Sequence, residues 1–229
     1  MAHPYFHAIS STHRWGGSVK DYLSLHSWFD ASKQLTCDFR HRALRHHREG
    51  VDLACRVFGA TITNSDNVAV STFEIGEQHV TEDLGHLPSI VDWFKNLDAT
   101  CLRKCRRLDF EYQSHKSQQK WGGLFEDYSN THEFLDEQFG EIKHPLALRH
   151  HSLGVFDCEA VIGPVIYNSS GRPIPVRVIA EQHIKNEIGL IPSTHDVIKD
   201  IMPQTWMMRV AKPSKVILRE AKIDENGLH

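Results

Sequence analysis

The sequence predicts a mainly α-helical protein with one small β-hairpin in each of two tandem units, packed as a pseudo-twofold dimer. Three observations predict it. Ala43-Leu44-Arg45-His46-His47-Arg48-Glu49-Gly50 returns later in the chain as Ala147-Leu148-Arg149-His150-His151-Ser152-Leu153-Gly154. The landmarks upstream of it return at a constant offset: Trp15-Gly16-Gly17, Asp21-Tyr22, His26 and Asp30 are answered by Trp121-Gly122-Gly123, Asp127-Tyr128, His132 and Asp136. After them the apolar period switches from helical steps to short alternating runs around a turn, in the same order in both copies. We bound the first unit at residues 1–97, a polar linker at 98–111, the second unit at 112–209 and a tail at 210–229.

Residues 21–35 carry Tyr22, Leu25 and Phe29 at helical spacing, which places His26 and Asp30 one turn apart on one face. A second helix is expected over residues 40–58, where Leu44, His47, Val51, Ala54 and Phe58 form a stripe that contains His47 and is flanked by His46. Gly59, and Gly163 in the second unit, are placed to end that helix. Residues 60–70 and 165–176 read as hairpins; unit one lacks the turn glycine, so Asn67 is expected to be left-handed. A third helix spans residues 75–85 (179–189 in unit two) and stops at Gly85 or Gly189, ahead of Pro88 or Pro192. Short helices over 90–97 and 196–201 close the units. The tail, 214–222 included, gives no choice between strand and helix.

The chain has 229 residues, 40% hydrophobic and 24% charged, with a formal charge of -3. That balance suits a soluble, cytoplasmic globular protein and gives no basic field for nucleic acid or anionic membrane. No apolar run approaches a membrane span, and the N-terminus lacks the basic start and apolar stretch of a signal peptide. Cys37, Cys55, Cys101, Cys105 and Cys158 form no disulfide or zinc-ribbon pattern and are expected to be free, mostly buried thiols. Histidine is the outlier, with 17 residues.

Both copies keep the same chemistry-bearing residues. His26, His46, His47 and His79 correspond to His132, His150, His151 and His183, and we read them as metal ligands or acid–base groups. Asp30 and Asp83, matched by Asp136 and Glu187, each lie four residues after a histidine. A metal-bound imidazole commonly gives its other ring N–H to such a carboxylate, so these four are read as orienting residues. Glu77 and Glu181 are the candidate catalytic bases, and Arg45 and Arg149 candidate ligand-binding residues. His3, His7 and His13 have no twins and are read as surface residues. The remaining arginines of the 40–48 stretch, Arg42 among them, are read as solvated or paired with Glu49, Asp52 and Glu82.

One inward histidine more often completes a core hydrogen bond than holds a metal. Four histidines kept in company with carboxylates in two copies shift that balance toward a metal or catalytic cluster. Histidine with carboxylate suits a divalent transition metal (zinc, iron, nickel or manganese). No Gly-rich phosphate loop, Gly-x-Ser-x-Gly or His-Glu-x-x-His is present, and the His-His pair departs from the His-Asp of metal-dependent phosphohydrolases.

With Trp-Gly-Gly, Asp-Tyr, His26-x-Trp28-Phe29-Asp30-x-Ser32-Lys33, Arg40-His41-Arg42-Ala43-Leu44-Arg45-His46-His47, Asn64-Ser65-Asp66 and Glu77-Gln78-His79-Val80, the first unit resembles a family of small uncharacterised bacterial and phage proteins. The likeness covers residues 3–97 and, more weakly, 112–207. It implies that a single copy is the usual form, and it implies no activity. Phe73 against Arg177, and His144-Pro145-Leu146 against Arg40-His41-Arg42, make the two sites unequal.

The leading functional expectation is a metal-binding protein with a hydrolase-like site, acting on a phosphate-containing small molecule or nucleotide. The alternative is a non-catalytic protein that sequesters an anionic ligand at the interface of the two units. A third is a scaffold whose histidines only complete core hydrogen bonds. In solution the chain is expected as a fused pseudo-dimeric monomer or a homodimer.

Overall fold

The computed structural model describes residues 3–102, 105–142, 144–210, 212 and 217–218. The tail residues 213–216 and 219–229, with Arg103, Lys104 and Lys143, lie outside them, and so does most of the 214–222 stretch. The fold is mainly helical with two two-stranded antiparallel hairpins. Contacts divide it into a unit of Met1–Trp93 with Met202–His229 and a unit of Phe94–Ile201.

In the first unit α1 (Pro4–Trp15) and α2 (Val19–Asp30) lead into 3-10 turns at Ala31–Gln34 and Phe39–Leu44. Then come α3 (Arg48–Phe58), the hairpin β1 (Thr61–Thr63) and β2 (Ala69–Ser71), α4 (Thr72–Leu84) and the short α5 (Ile90–Phe94). The register pairs Ile62 with Val70. Asn67 does take a positive φ of 60°. The second unit repeats the order with α6 (Phe110–Trp121), α7 (Glu126–Asp136), a 3-10 turn at Pro145–Leu148 and α8 (Ser152–Ile162), followed by β3 (Val165–Tyr167), β4 (Pro173–Pro175), α9 (Val176–Ile188) and α10 (Thr194–Ile198). Apolar side chains of α2, α3 and α4, such as Leu25, Phe29, Val51 and Ile75, fill the first core. Tyr128, Ile174 and Ile179 do so in the second.

Most of the repeated motif is structural. Asn64 donates to the Trp15 carbonyl (3.0 Å) and to the Tyr22 hydroxyl (3.1 Å), which donates in turn to the Gly16 carbonyl. One oxygen of Asp21 accepts from the Ser18 amide and from the amide and hydroxyl of Ser65. These bonds hold its carboxyl down near pKa 2. Gly17, at φ +73°, leaves no room for a Cβ beside Asp21 and Asn64. Asn168, Tyr128, Asp127 and Ser169 build the same clamp in unit two.

The helix expected over 40–58 is broken. Phe39–Leu44 is a 3-10 turn, Arg45 leaves the helical region (φ -142°), and α3 starts only at Arg48 with His47 as its N-cap. The Gly50 amide donates to His47 Nδ1, and a Cβ at Gly50 would collide with the Arg45 carbonyl, so the glycine of the repeated motif is required by the break. His151 and Gly154 repeat the arrangement.

One other expectation changes. Among the thiols only Cys158 is buried; Cys37 and Cys101 are exposed. Residues 105–110, expected to belong to the linker, bond to α9: the Arg106 amide reaches the Glu187 carbonyl and the Leu108 amide reaches the Glu187 carboxylate. From the tail, Leu218 packs on Phe6 and Ile9.

Candidate metal centres

Each unit gathers two imidazoles and two carboxylates around one point. In the first, Asp30 comes from the end of α2, His46 from the break before α3, and His79 and Asp83 from successive turns of α4. The second uses Asp136, His150, His183 and Glu187, and in both sets the four ligand atoms lie within 4.8 Å of one another. The break aims His46 inward: its amide bonds the Arg42 carbonyl at 2.7 Å, and its carbonyl accepts from the Trp93 indole.

The separations match a coordination shell. His46 Nε2 lies 3.2 Å from His79 Nε2, 3.5 Å from Asp83 Oδ2 and 3.7 Å from Asp30 Oδ1. His150 Nε2 lies 3.0 Å from His183 Nε2 and 2.8 Å from Glu187 Oε2, and His183 Nε2 lies 3.7 Å from Asp136 Oδ1. Donors about 2.0–2.2 Å from a tetrahedral ion stand roughly 3.3 Å apart.

A chain of hydrogen bonds sets which nitrogen faces that point. Ser11 spends its proton on Gln78 Oε1 (3.0 Å), so it accepts from His26 Nε2 at 2.8 Å. His26 Nδ1 is then the acceptor for the His79 Nδ1–H at 3.1 Å, which leaves the His79 Nε2 lone pair facing His46. Ser117, His132 and His183 make the corresponding contacts in unit two, at 2.8 and 2.9 Å. A proton on His46 or His150 Nε2 serves the facing imidazole and Asp83 or Glu187, and leaves out the aspartate of each group. Asp30 Oδ1 and both carboxylate oxygens of Asp136 stay buried without a hydrogen-bond partner among the described residues. A cation would satisfy all four donors at once.

The electrostatics keep the imidazoles neutral and the carboxyls ionised. Burial holds His26, His46, His79 and His150 below the usual imidazole range, and His132 down to about 3, so they are neutral at pH 7. Burial opposes ionisation of Asp83 and Glu187, but hydrogen bonds from His46 and His150 respectively hold both carboxyls below their usual range.

The sequence-derived candidates sort as follows. His46, His79, His150 and His183 reach the centres. So do Asp30, Asp83, Asp136 and Glu187, as donors rather than as orienting residues. His26 and His132 stand behind His79 and His183. His47 and His151 are N-caps, the latter also 3.0 Å from the Leu148 carbonyl. Arg45 stacks on Trp28 and donates to its carbonyl, and Arg149 bonds the Phe134 carbonyl and Glu137; neither is brought to a centre. Glu77 is exposed, and Glu181 is half-buried beside Lys185.

Sequence reasoning missed two residues. His7, expected at the surface, is 1% exposed, with Nδ1 2.6 Å from Glu82 and Nε2 3.5 Å from Asp83. Burial would lower its pKa, but the hydrogen bonds and charges of Asp83 and Glu82 lift it to about 9. Arg42, read as a solvated residue or a partner of Glu49, Asp52 and Glu82, is 1% exposed and donates to Asp83 and to the carbonyls of Met207 and Arg209. Its available signal was its place one turn before His46.

The family model of a domain of unknown function, DUF6915, matches residues 2–101 and again 110–207. The chain belongs to the DUF6915 family. It is a tandem pair of DUF6915 domains, and each holds one complete donor group. No curated protein and no solved structure matches the chain. Among the described residues no helix is long and apolar enough to cross a membrane.

Proposed function

We propose that this DUF6915 pair binds divalent transition-metal cations, one centre per domain, through two imidazoles and two carboxylates. The observation that carries the reading is the convergence of two Nε2 atoms and two carboxylates on one buried point, twice, with Asp30 Oδ1 and both Asp136 carboxylate oxygens left without a hydrogen bond among the described residues. The mixed donor set suits zinc, iron, nickel or manganese. It is too nitrogen-rich for calcium or magnesium, which favour all-oxygen shells. Elemental analysis of untagged protein tests it. Up to two equivalents of metal are expected, lost when His79→Ala and His183→Ala are combined; a folded protein that takes up no metal removes the reading.

A hydrolytic role is supported at the second centre. A cleft of about 530 Å³ is lined by Arg107, Leu108, Asp109, Phe110, Glu133, Asp136 and Gln138, so Asp136 belongs both to the donor group and to the cleft wall. Asp136, His150, His183 and Glu187 would hold the metal, which would supply an activated water, and Asp136 is the donor that the cleft and the centre share. For a phosphate-containing substrate, Arg107 supplies one cation against the charges of Asp109 and Glu133, which favours a monoester over a polyphosphate. Turnover of a panel of phosphate monoesters and nucleotides by the metal-loaded chain, lost in Asp136→Asn, checks this; no turnover across the panel leaves a metal-binding protein without that activity.

A further inference from the structure

The two centres share their donors and differ in the charges around them. In the first, Lys33 Nζ lies 2.6 Å from Asp30 Oδ2 and the Arg42 guanidinium 3.2 Å from Asp83 Oδ2. Each carboxylate thus already has a permanent side-chain cation. In the second, the residue three after Asp136 is Phe139 and the residue four before His150 is Leu146. Among the described residues no lysine or arginine side chain pairs with the carboxylate of Asp136 or of Glu187; the Arg107 guanidinium donates instead to the Asp136 backbone carbonyl, at 3.3 Å. The surroundings differ in the same sense. Asp136 lines the cleft, whose wall carries Asp109 and Glu133 against one cation, Arg107, while the positions matching those two carboxylates in unit one hold His3 and Ser27.

Building on the metal-binding reading, we infer that the two centres are unequal: the second is a high-affinity divalent-cation site loaded through its acidic cleft, and the first is a weak site in which Lys33 and Arg42 occupy the charge a metal would supply. Two like charges within a few ångströms of a divalent cation weaken its binding most where water is excluded. Exposed carboxylates at a mouth raise the local cation concentration and the association rate in a salt-dependent way. A duplicated domain of this kind need keep only one strong site, while the second copy replaces metal charge with its own.

The test is a titration of the chelator-stripped full chain with Co²⁺ alone, followed by calorimetry and visible absorption. Two steps are expected, separated by roughly 100-fold in affinity. Asp136→Asn should remove the tight step and Asp30→Asn the weak one, with folding checked by circular dichroism. Lys33 is partly exposed, so Lys33→Gln should fold and should tighten only the weak step, by roughly tenfold. Glu133→Gln should slow Co²⁺ association several-fold at low salt and leave the stoichiometry unchanged. Two equivalents bound in one step of equal affinity would overturn the inference while sparing the metal-binding reading, as would loss of the tight step in Asp30→Asn. Absence of any Co²⁺ binding to the folded chain would remove both.

Discussion

The hairpin clamp and the shell around the donor groups have diverged very differently between the two domains. The clamp is nearly invariant: Asn64, Tyr22, Asp21 and Ser65 make the bonds that Asn168, Tyr128, Asp127 and Ser169 make. Around the donors, His7, Glu82 and Arg42 give way to Gln113, Asn186 and Leu146. The His7–Glu82 ion pair becomes a Gln113–Asn186 amide bond of 2.7 Å. Clamp atoms must satisfy fixed backbone groups, so their geometry leaves no substitute. The outer shell needs only to be paired, and a charged or a neutral pair serves equally. The fold is therefore held by what stays the same, and the character of each centre by what changes.

Acid should produce the largest effect and should not separate the domains. In chelator-treated protein His26, His46 and His79 in one unit, and His132, His150 and His151 (held to about 4) in the other, are neutral when folded. Their unfolded counterparts take protons near pH 6.5. Stability is therefore complete above that pH and falls as pH drops below it toward the folded values, by about 1.4 kcal/mol per pH unit for each imidazole. Urea melts at pH 7.0 and 5.5 check this; unchanged stability would mean the rings are not buried neutral.

Breaking the motif glycine should also strike both domains alike. Gly50→Ala and Gly154→Ala each force a Cβ into the carbonyl five residues earlier, at a cost of about 3 kcal/mol. A thermal melt would show it, and a loss confined to one variant would break the equivalence of the two folds.

Alkali should tell the domains apart. His7, raised to about 9, contributes stability that is fully present below pH 6.5 and is lost as pH rises through 9, amounting to roughly 2–3 kcal/mol in the first unit. Gln113 stands in its place in the second, so that unit should show no such step. His7→Gln should flatten the alkaline limb in metal-free protein, and persistence of that limb would assign it elsewhere. The smallest effect returns to the clamp: Asn64→Ala and Asn168→Ala should each cost about 1–2 kcal/mol, equally, in the same melts.

The duplicated helical architecture and its hairpins were legible because repeated landmarks report on the fold directly. Asn67 illustrates this, since a turn without glycine needs some residue to adopt a positive φ. The centres were legible in part. His46, His79 and the carboxylates one turn after a histidine stood out by spacing. Spacing cannot say whether Asp83 turns toward the metal point or behind a ring, because that depends on how α2 and α4 face each other. It cannot place His46 and His47 on opposite sides of a helix start either. His7 and Arg42 escaped for another reason: comparison of the copies finds what both retain, and these two are what one copy changed.

The most direct test of the central claim is anomalous diffraction from crystals of the untagged chain grown with Zn²⁺, measured above and below the zinc absorption edge. The account predicts a peak bounded by Asp136, His150, His183 and Glu187, stronger than any at Asp30, His46, His79 and Asp83. Imidazoles hydrogen-bonded to one another, with no anomalous signal in either domain, would contradict it.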